Sequence, residues 1–415
     1  MNFNKSNELL NRVTDVIPVG SQTYSKSARY YPIGASPLFL TKGKGAYVWD
    51  VDGNKFCDFV CSLGPITLGY NYPAVDKAIT RQLKNGIIFS LPSPLEYELT
   101  TLLMNYVSNC EMVRFMKTGS EACCAAIRLA RAYTGKDVIL TSGYHGWGSE
   151  FAILSERNKG IPREYSMSIA EFQYNNIQEL ERLFTHNKVA AVIMEPVIVQ
   201  KPKDSFLHRV RNLCTKNNAL LIFDEVVTGG RFKPLTTSGY FGVTPDLTIL
   251  GKGIANGASL AAVCGPKSLM PEFENLMISG TFHGNCLDLA AGIATIHEIM
   301  SKDTIYHIWE VGKYIMDNLT IAGFDIEGYP CRPMIGLPDN SPECKTLFLE
   351  QMIQHGFLII NTMVLNICYS HSLGDAKRFV KAASESLEVL NEAIKAGTVS
   401  KMLKGRVINS AFKRI

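Results

Sequence analysis

The sequence predicts an α/β protein with a large domain built on a mainly parallel sheet, followed by a smaller α/β domain at the C-terminus. Between about residues 61 and 300, short apolar runs alternate with segments that repeat apolar residues at helical spacing. Some runs, such as residues 219–223, are apolar at every position, as expected for strands buried on both faces. We therefore predict an N-terminal segment at residues 1–60, a large domain at 61–300 and a small domain at 301–415.

The individual elements follow from the same patterns, taken in chain order. Before about residue 59, we predict a short helix and then strands that turn at Asp52-Gly53. In the large domain, we predict strands at 113–116, 138–141, 189–194, 219–223 and 245–250, and helices at 120–133, 178–184 and 206–216. In the small domain, we predict strands at 357–360 and 364–368 and a helix at about 375–395.

Lys252 lies in a Gly-Lys-Gly sequence directly after the strand predicted at 245–250. A buried lysine loses solvation as an ammonium ion and becomes a usable nucleophile near neutral pH. Glycines on both sides leave room for a flat cofactor. Taken alone, the sequence also fits a surface lysine at a strand end.

Asp224 ends the apolar run at 219–223, and ligands bind where the strands of a parallel sheet end. Its carboxylate suits the protonated pyridine nitrogen of pyridoxal phosphate, which must stay an electron sink. A loop or helix-capping aspartate is the alternative. We expect the adjacent Glu225 to make a structural hydrogen bond or ion pair.

Two glycine-containing turns could complete such a site. Thr-Gly-Ser at 118–120 separates a strand from a helix, and the free N–H groups of a helix start bind phosphate well. The same residues would also serve as an ordinary N-cap. Tyr144 and His145 lie between two glycines after the strand at 138–141, where a ring could stack on a cofactor or form an aromatic loop.

Together, these segments resemble the class III aminotransferases, which depend on pyridoxal phosphate. The resemblance is strongest to the branch that contains glutamate-1-semialdehyde 2,1-aminomutase. It includes Gly-Ala-Tyr-Val-Trp-Asp-Val-Asp-Gly at 45–53, Asp-Glu-Val-Val-Thr-Gly at 224–229 and Gly-Thr-Phe-His-Gly-Asn at 280–285. Further matching segments lie at 24–29, 37–40, 64–69, 127–135, 195–197 and 242–247. The resemblance implies the aspartate aminotransferase-like fold of pyridoxal-phosphate-dependent transferases, known as fold type I.

The resemblance also implies roles in catalysis for matching residues. Lys252 would hold the cofactor as a Schiff base, Asp224 would pair with its pyridine nitrogen, and Glu195 would orient a water or an amine. Arg29 matches the arginine that binds the substrate carboxylate in the aminomutase, where a guanidinium fork fits a carboxylate. A surface ion pair is the alternative role of Arg29, and His145 would act behind the residues that touch the cofactor.

The remaining cofactor contacts are implied at the phosphate and at the two faces of the ring. The residues that would provide them are Gly119, Ser120, Tyr144, Val226 and Thr281. Thr281 matches a threonine that reaches the phosphate of the neighbouring subunit. The resemblance therefore implies a homodimer with shared active sites.

Three departures from the aminomutase fall around the expected substrate pocket. Leu63 stands where the aminomutase has a tryptophan, residues 151–165 replace its longer glycine-rich gating loop, and Ile-Val-Gln at 198–200 replaces Ala-Gly-Asn. Because the cofactor residues are retained, we predict an aminotransferase that moves an amino group from a small-molecule donor to a carbonyl acceptor, such as a sugar-like or specialised-pathway intermediate. The aminomutase reaction is the alternative. A catalytically silent homologue that acts as a binding subunit is a third possibility, against which the retention of Lys252 and Asp224 argues.

Composition and charge restrict the remaining classes of function. A net charge of +4 over 415 residues does not indicate nucleic-acid binding, and we interpret the basic residues of the C-terminus as a solvated tail. The 11 cysteines include no Cys-x-x-Cys pair, which indicates reduced thiols rather than a disulfide framework or a metal site. No signal-peptide core and no apolar run of membrane-spanning length is present, so we expect a cytoplasmic protein without membrane contact. The basic tail residues are Lys401, Lys404, Arg406, Lys413 and Arg414.

Overall fold

Residues 1–409 are described by the computed structural model, and they group into two units. One unit contains Met1–Tyr72 and the described chain from Tyr306 onward, and the other contains Pro73–Ile305. The first unit therefore joins most of the segments predicted at 1–60 and 301–415. Lys413 and Arg414 of the predicted basic tail lie outside the described residues.

A seven-stranded sheet organises the Pro73–Ile305 unit. Its strands lie in the order Met112–Met116, Ala261–Gly265, Leu247–Leu250, Leu220–Asp224, Val189–Met194, Val138–Ser142 and Ile169–Glu171. The strand Ala261–Gly265 is antiparallel to both of its neighbours, and the other neighbouring pairs are parallel. The predicted mainly parallel sheet is confirmed, and the carboxyl ends of all the other strands meet at one edge.

Apolar cores cover both faces of this sheet, because successive residues of a strand point to opposite sides. In the strand Val189–Met194, Ile193 belongs to the core that includes helix Gly119–Thr134. Its neighbours Val192 and Met194 belong to the core that includes helix Phe206–Lys216. Burial on both faces explains why these strands are apolar at consecutive positions rather than at alternate ones.

Helices of this unit lie close to the predicted positions. The helix predicted at 178–184 spans Ile177–His186, and the one predicted at 206–216 spans Phe206–Lys216. Along the described chain, no helix combines the length and apolar character needed to cross a membrane. The other helices of the unit are Pro73–Leu83, Pro94–Met104, Ser149–Ala152, Thr237–Phe241 and Cys286–Ser301.

A four-stranded sheet and a separate hairpin form the strands of the other unit. The sheet has the order Leu40–Lys44, Tyr47–Asp50, Lys55–Asp58 and Phe357–Leu358, and the hairpin pairs Asp325–Tyr329 with Arg332–Gly336. The predicted turn at Asp52-Gly53 joins the second and third strands, and Gly53 has a φ of 90°, where glycine is favoured. Helices in or extending into this unit are Asn4–Thr14, Thr304–Ile321, Pro342–Gln354, Leu373–Ala396 and Val399–Met402.

The prediction of a strand at 364–368 was wrong, although the run is buried as expected. Its backbone N–H groups donate to separate segments instead of one neighbouring strand. Leu365 donates to Pro333 O at 2.8 Å, whereas Asn366 donates to Phe59 O at 2.7 Å. The strand predicted at 357–360 is also shorter and spans Phe357–Leu358. An apolar run of this length indicates burial but does not fix the hydrogen-bond partner.

Candidate active site

Residues that the sequence singles out follow five different strands of the large sheet. Because these strands run in one direction, the residues lie along the edge where parallel α/β sheets bind ligands. Together they supply an amine, two carboxylates, an aromatic ring and a helix start at one edge. The residues are Gly119, Tyr144, Glu195, Asp224 and Lys252.

Asp224 is a buried carboxylate held by three donors. Its Oδ2 lies 2.7 Å from Nδ1 of His145 and 3.4 Å from Sγ of Cys123, and its Oδ1 accepts the N–H of Val226 at 3.0 Å. Asp224 is 3% exposed and His145 1% exposed, so water does not compete for these contacts. The three donors fix the orientation of the carboxylate at the sheet edge.

The Cys123 thiol contacts Asp224, a role that the sequence did not reveal. Burial first, and then the nearby charge of Asp224, raise the pKa of the Cys123 thiol well above its usual range. The thiol therefore stays protonated and can donate to the carboxylate. The signal was available in part, because Cys123 lies one helical turn after Gly119 on the face of the helix that packs on the sheet.

His145 is buried and contacts Asp224 through its Nδ1 atom. Because the carboxylate can only accept, Nδ1 of the ring is the donor in this hydrogen bond. Within the described residues, Nε2 is buried and has no hydrogen-bond partner. His145 thus orients Asp224 from the side of the protein interior.

The turn at 118–120 begins a helix with a complete N-cap. The Thr118 hydroxyl accepts the N–H of Glu121, and the Glu121 carboxylate accepts the N–H of Thr118. The N–H groups of Gly119 and Ser120 lie in the first turn, where a helix offers no internal acceptor. They form, with the positive end of the helix dipole, a site suited to a phosphate group.

Close backbone approaches shape the space between these elements. A Cβ on Gly119 would lie 2.9 Å from the side chain of Val226, and a Cβ on Gly251 would lie 3.3 Å from the same side chain. Val226 therefore packs between the helix start and the residue that precedes Lys252. Gly146 has a φ of 95°, and a Cβ there would lie 2.1 Å from Oγ of Ser120. The loop with Tyr144 can approach the helix start only with glycine at 146.

Glu195 supports the loop that contains Tyr144. Its Oε1 accepts the N–H of Tyr144 at 3.1 Å, and a Cβ on Gly143 would lie 2.9 Å from its Cγ. Glu195 is 7% exposed, whereas the side chain of Tyr144 is 58% exposed. Glu195 therefore holds the backbone of the Tyr144 loop, and the ring of Tyr144 remains accessible at the sheet edge.

Lys252 begins a short 3-10 helix after the strand Leu247–Leu250. It has a φ of 43°, a left-handed backbone conformation that residues other than glycine adopt rarely. Such strain occurs often at functional sites, where the surrounding structure imposes it. The flanking Gly251 and Gly253 are buried, and Lys252 is half-buried.

Two further residues predicted for the site, Thr281 and Arg29, are both exposed. Thr281 is exposed and lines a cavity of about 620 Å³ with Gly280 and His283, and it makes no hydrogen bond to Gly119 or Ser120 in the described chain. Arg29 belongs to the other unit and is exposed. Among the described residues its guanidinium makes no ion pair, while its backbone carbonyl accepts the N–H of Asn409 at 2.9 Å.

The donor set fits pyridoxal phosphate. The N–H groups of Gly119 and Ser120 would hold its phosphate, Asp224 would face its pyridine nitrogen, and Lys252 would bind its aldehyde carbon. Val226, which packs against Gly119 and Gly251, would lie against one face of its ring. These residues supply every chemical group that the cofactor requires.

Comparisons with known proteins agree with this geometry. The family model of class III aminotransferases matches residues 30–327. The chain is 34% identical over 406 residues to the 3-aminobutyryl-CoA aminotransferase of Cloacimonas acidaminovorans, covering 92% of this chain and 96% of the relative. It is 35% identical over 343 residues to the glutamate-1-semialdehyde 2,1-aminomutase of Syntrophobacter fumaroxidans, covering 78% of each.

A solved structure shows the same fold. The FumI protein of Sphingopyxis sp. MTA144, determined with pyridoxal phosphate, superposes with a TM-score of 0.90 at 24% identity and covers 95% of this chain and 98% of its own. The chain belongs to the class III aminotransferases. It is therefore an enzyme of fold type I that uses pyridoxal phosphate as its cofactor.

Proposed function

We propose that this enzyme transfers an amino group from a small-molecule donor to a separate carbonyl acceptor at the sheet edge around Lys252. The observation that carries this proposal is the placement of Lys252 and Asp224 at neighbouring strand ends, with Val226 packed between the lysine turn and the helix start. Bound pyridoxal phosphate supplies an electron sink for negative charge on the substrate carbon. The roles below are those of the residues of this chain.

Asp224 would keep a positive charge on the pyridine nitrogen, because its carboxylate is oriented by His145 Nδ1 and Cys123 Sγ. Lys252 Nζ would bind the cofactor and then hold the proton that leaves the substrate carbon. Glu195 would keep the Tyr144 loop in place through its contact with the Tyr144 N–H. The exposed ring of Tyr144 would cover one face of the cofactor and exclude water.

We propose donors whose amine lies on the carbon β to a carbonyl group. Support comes from the relative in Cloacimonas acidaminovorans, whose name specifies a 3-aminobutyryl thioester and which matches nearly the full length of both chains. The replacement of the aminomutase tryptophan by Leu63 and the Ile-Val-Gln sequence at 198–200 also favour a substrate other than glutamate 1-semialdehyde. The acceptor would be a small carbonyl compound.

The test is a two-step absorbance experiment on the purified holoenzyme. Addition of 3-aminobutyryl-CoA or 3-aminobutyrate alone should remove the visible absorbance of the bound cofactor. A 2-oxo acid or an aldehyde added afterwards should restore it. Lys252→Ala is the control and should give neither change. If no β-amino compound alters the absorbance while α-amino acids do, the proposed donor class is wrong.

The aminomutase reaction remains the second candidate, and similarity to several aminomutases favours it. Arg29, which matches the aminomutase carboxylate-binding arginine, is the residue that would support it. This reaction moves the amino group within one molecule and needs no added acceptor. Consumption of glutamate 1-semialdehyde without an acceptor, reduced in Arg29→Met, would favour the aminomutase over the aminotransferase.

A further inference from the structure

A cluster of cysteines and one histidine lies in the unit that does not contain Lys252. Cys61, Cys368 and His371 each place a sulfur or a ring nitrogen within 4.8 Å of those of the other two. Cys57 contributes a third buried thiol beside His371. All four residues are between 0% and 2% exposed, and the mechanism proposed above uses none of them.

Backbone contacts hold the two cysteine segments together. The N–H of Asn366 donates to Phe59 O at 2.7 Å, and Nδ2 of Asn366 donates to Val60 O at 3.1 Å. In return, the Cys61 thiol donates to Asn366 O at 3.2 Å. These hydrogen bonds hold the segment that contains Cys61 against the segment that contains Cys368. Proximity of the two sulfurs is therefore a property of the fold.

The hydrogen bonding of His371 argues against a metal site. The backbone N–H of Cys368 donates to Nδ1 of His371 at 3.0 Å, so the ring proton resides on Nε2. Neither nitrogen then offers a free lone pair to a metal ion. Within the described residues, Nε2 is buried without a hydrogen-bond partner, which leaves its N–H able to stabilise a negative sulfur nearby.

We propose that Cys61 and Cys368 are an oxidative modification site. Hydroperoxides oxidise the two thiols to a reversible disulfide that joins Cys61 to Cys368. The Cys368 thiolate attacks one oxygen of hydrogen peroxide, the O–O bond breaks, and the departing hydroxide takes up a proton to leave as water. The Cys61 thiol then attacks the sulfur of the resulting sulfenic acid, the S–O bond breaks, and a second water leaves. Two thiols are oxidised and one peroxide is reduced.

The electrostatics of the cluster favour Cys368 as the first nucleophile. Burial alone would raise the pKa of the Cys368 thiol, but the neighbouring side chains of Cys61 and His371 hold this pKa well below its usual range. A thiolate is the form that reacts with peroxide. Burial and the adjacent His371 act in opposite directions on Cys57 as well, and the net effect raises the pKa of that thiol.

A cavity is lined by the residues that flank Cys61. Cys61, Ser62 and Leu63 have φ values of 48°, 55° and 73°, a run of three left-handed residues that lack the freedom of glycine. Val60, Ser62 and Leu63 line a cavity of about 530 Å³. A small opening of this strained turn would expose the pair to the cavity. The same opening would admit a reducing agent to the disulfide.

The experiment treats the reduced holoenzyme with hydrogen peroxide after removal of the reductant. Mass spectrometry of the intact chain should show the loss of two hydrogen atoms, reversed by dithiothreitol. Digestion without reduction should give one cross-linked peptide pair that joins Cys61 to Cys368. Cys331→Ser, which removes another buried cysteine of the same unit, should form the same cross-link, whereas Cys61→Ser should not.

The measurement on the unaltered chain decides the proposal even if a serine variant fails to fold. A cross-link from Cys57 to either cysteine, or peroxide products limited to sulfinic and sulfonic acids, would overturn it. So would stoichiometric zinc in the purified chain that blocks alkylation of Cys61 and Cys368. Both thiols still reduced after treatment with an excess of peroxide would also refute it.

Discussion

Asp224 and Glu225 are neighbouring carboxylates whose surroundings give them different roles. Asp224 receives donors from His145 and Cys123 and lies at the sheet edge. Glu225 is fully buried and accepts hydrogen bonds from Thr228 and Thr237, which confirms the expected structural role. At the scale of single residues, the direction of a side chain at the strand end decides whether it can face a ligand or holds the surrounding structure together.

Replacing Lys252 tests the central residue of the proposed site. Lys252→Ala should lose the visible absorbance of covalently held cofactor and all turnover, because no other amine occupies that strand end. The circular dichroism spectrum should remain that of the parent. Lys267→Ala, which alters an exposed lysine of the same unit, should keep both properties. A Lys252→Ala protein with parental absorbance and turnover would remove the basis of the assignment.

The pH dependence of stability should report on Glu225. Burial raises the pKa of Glu225 from 4.5 to about 7, with smaller opposing effects from Thr228 and Thr237. The folded state therefore binds more protons than the unfolded state between these pH values, so Glu225 lowers stability as pH rises through this window. Its contribution to the slope is at most about 1.4 kcal/mol per pH unit.

Urea unfolding of the cofactor-free protein at several pH values measures this effect. Glu225→Gln should flatten the fall in the free energy of unfolding between pH 4.5 and 7. The hydroxyls of Thr228 and Thr237 can rotate to bond the amide, so the packing is kept. Glu156→Gln, at an exposed position of the same unit, should leave the slope unchanged. Identical slopes in parent and Glu225→Gln would show that Glu225 titrates normally.

At the scale of elements, helix Gly119–Thr134 is the part of the fold that presents the proposed phosphate site. A capping box fixes its first turn, and Gly135 in a left-handed conformation ends it. The loop after strand Val138–Ser142 returns to the helix start, where Gly146 contacts Ser120. The site therefore depends on a loop and a helix that are adjacent only because their strands share one sheet.

Gly146→Ala should weaken cofactor retention, because the new Cβ would collide with Ser120 and displace the helix start. Gly135→Ala is the matched control. It has a left-handed φ of 65°, but a Cβ there has nothing within 4 Å. Backbone strain should cost each variant about 1 kcal/mol of stability, and the collision with Ser120 should cost Gly146→Ala more. Only Gly146→Ala should raise the cofactor dissociation constant, as measured by fluorescence titration of the cofactor-free protein.

At the scale of the whole molecule, we predict that two chains contribute to each active site. Thr281 makes no hydrogen bond to the Gly119-Ser120 turn within the described chain, and it lines a cavity with residues of the same unit. The exposed position of Thr281 is consistent with the prediction that it binds the cofactor phosphate of a second chain. The predicted homodimer and the predicted cytoplasmic location remain to be tested.

Coexpression of two defective variants tests the shared site. Lys252→Ala and Thr281→Val should form heterodimers in which one site has both defects and the other has neither. Turnover should return to about half of the parental value per dimer, because the two defects then combine in a single site. Thr281→Ser, which keeps the hydroxyl, should retain activity by itself. Confirmed heterodimers without recovered turnover would show that Thr281 serves its own chain.

The sequence by itself determined the type of sheet and the edge at which the site lies. Continuous apolar runs require burial on both faces, and that requirement identifies parallel strands such as Val189–Met194 from local pattern alone. Residues directly after such strands, including Asp224 and Lys252, could therefore be placed together before any contact was known. Their chemistry then followed from residue type and from the family segments around them.

Only the tertiary structure decided which side chains meet across long stretches of sequence. Cys123 packs in the core and also donates to Asp224, and the run at 364–368 bonds to two segments instead of forming a strand. The Cys61–Cys368 pair is likewise invisible in the sequence spacing. Periodicity records which face of an element is buried, because that depends on near neighbours in the chain. The partner on that face depends on how distant elements pack, and no local pattern encodes it.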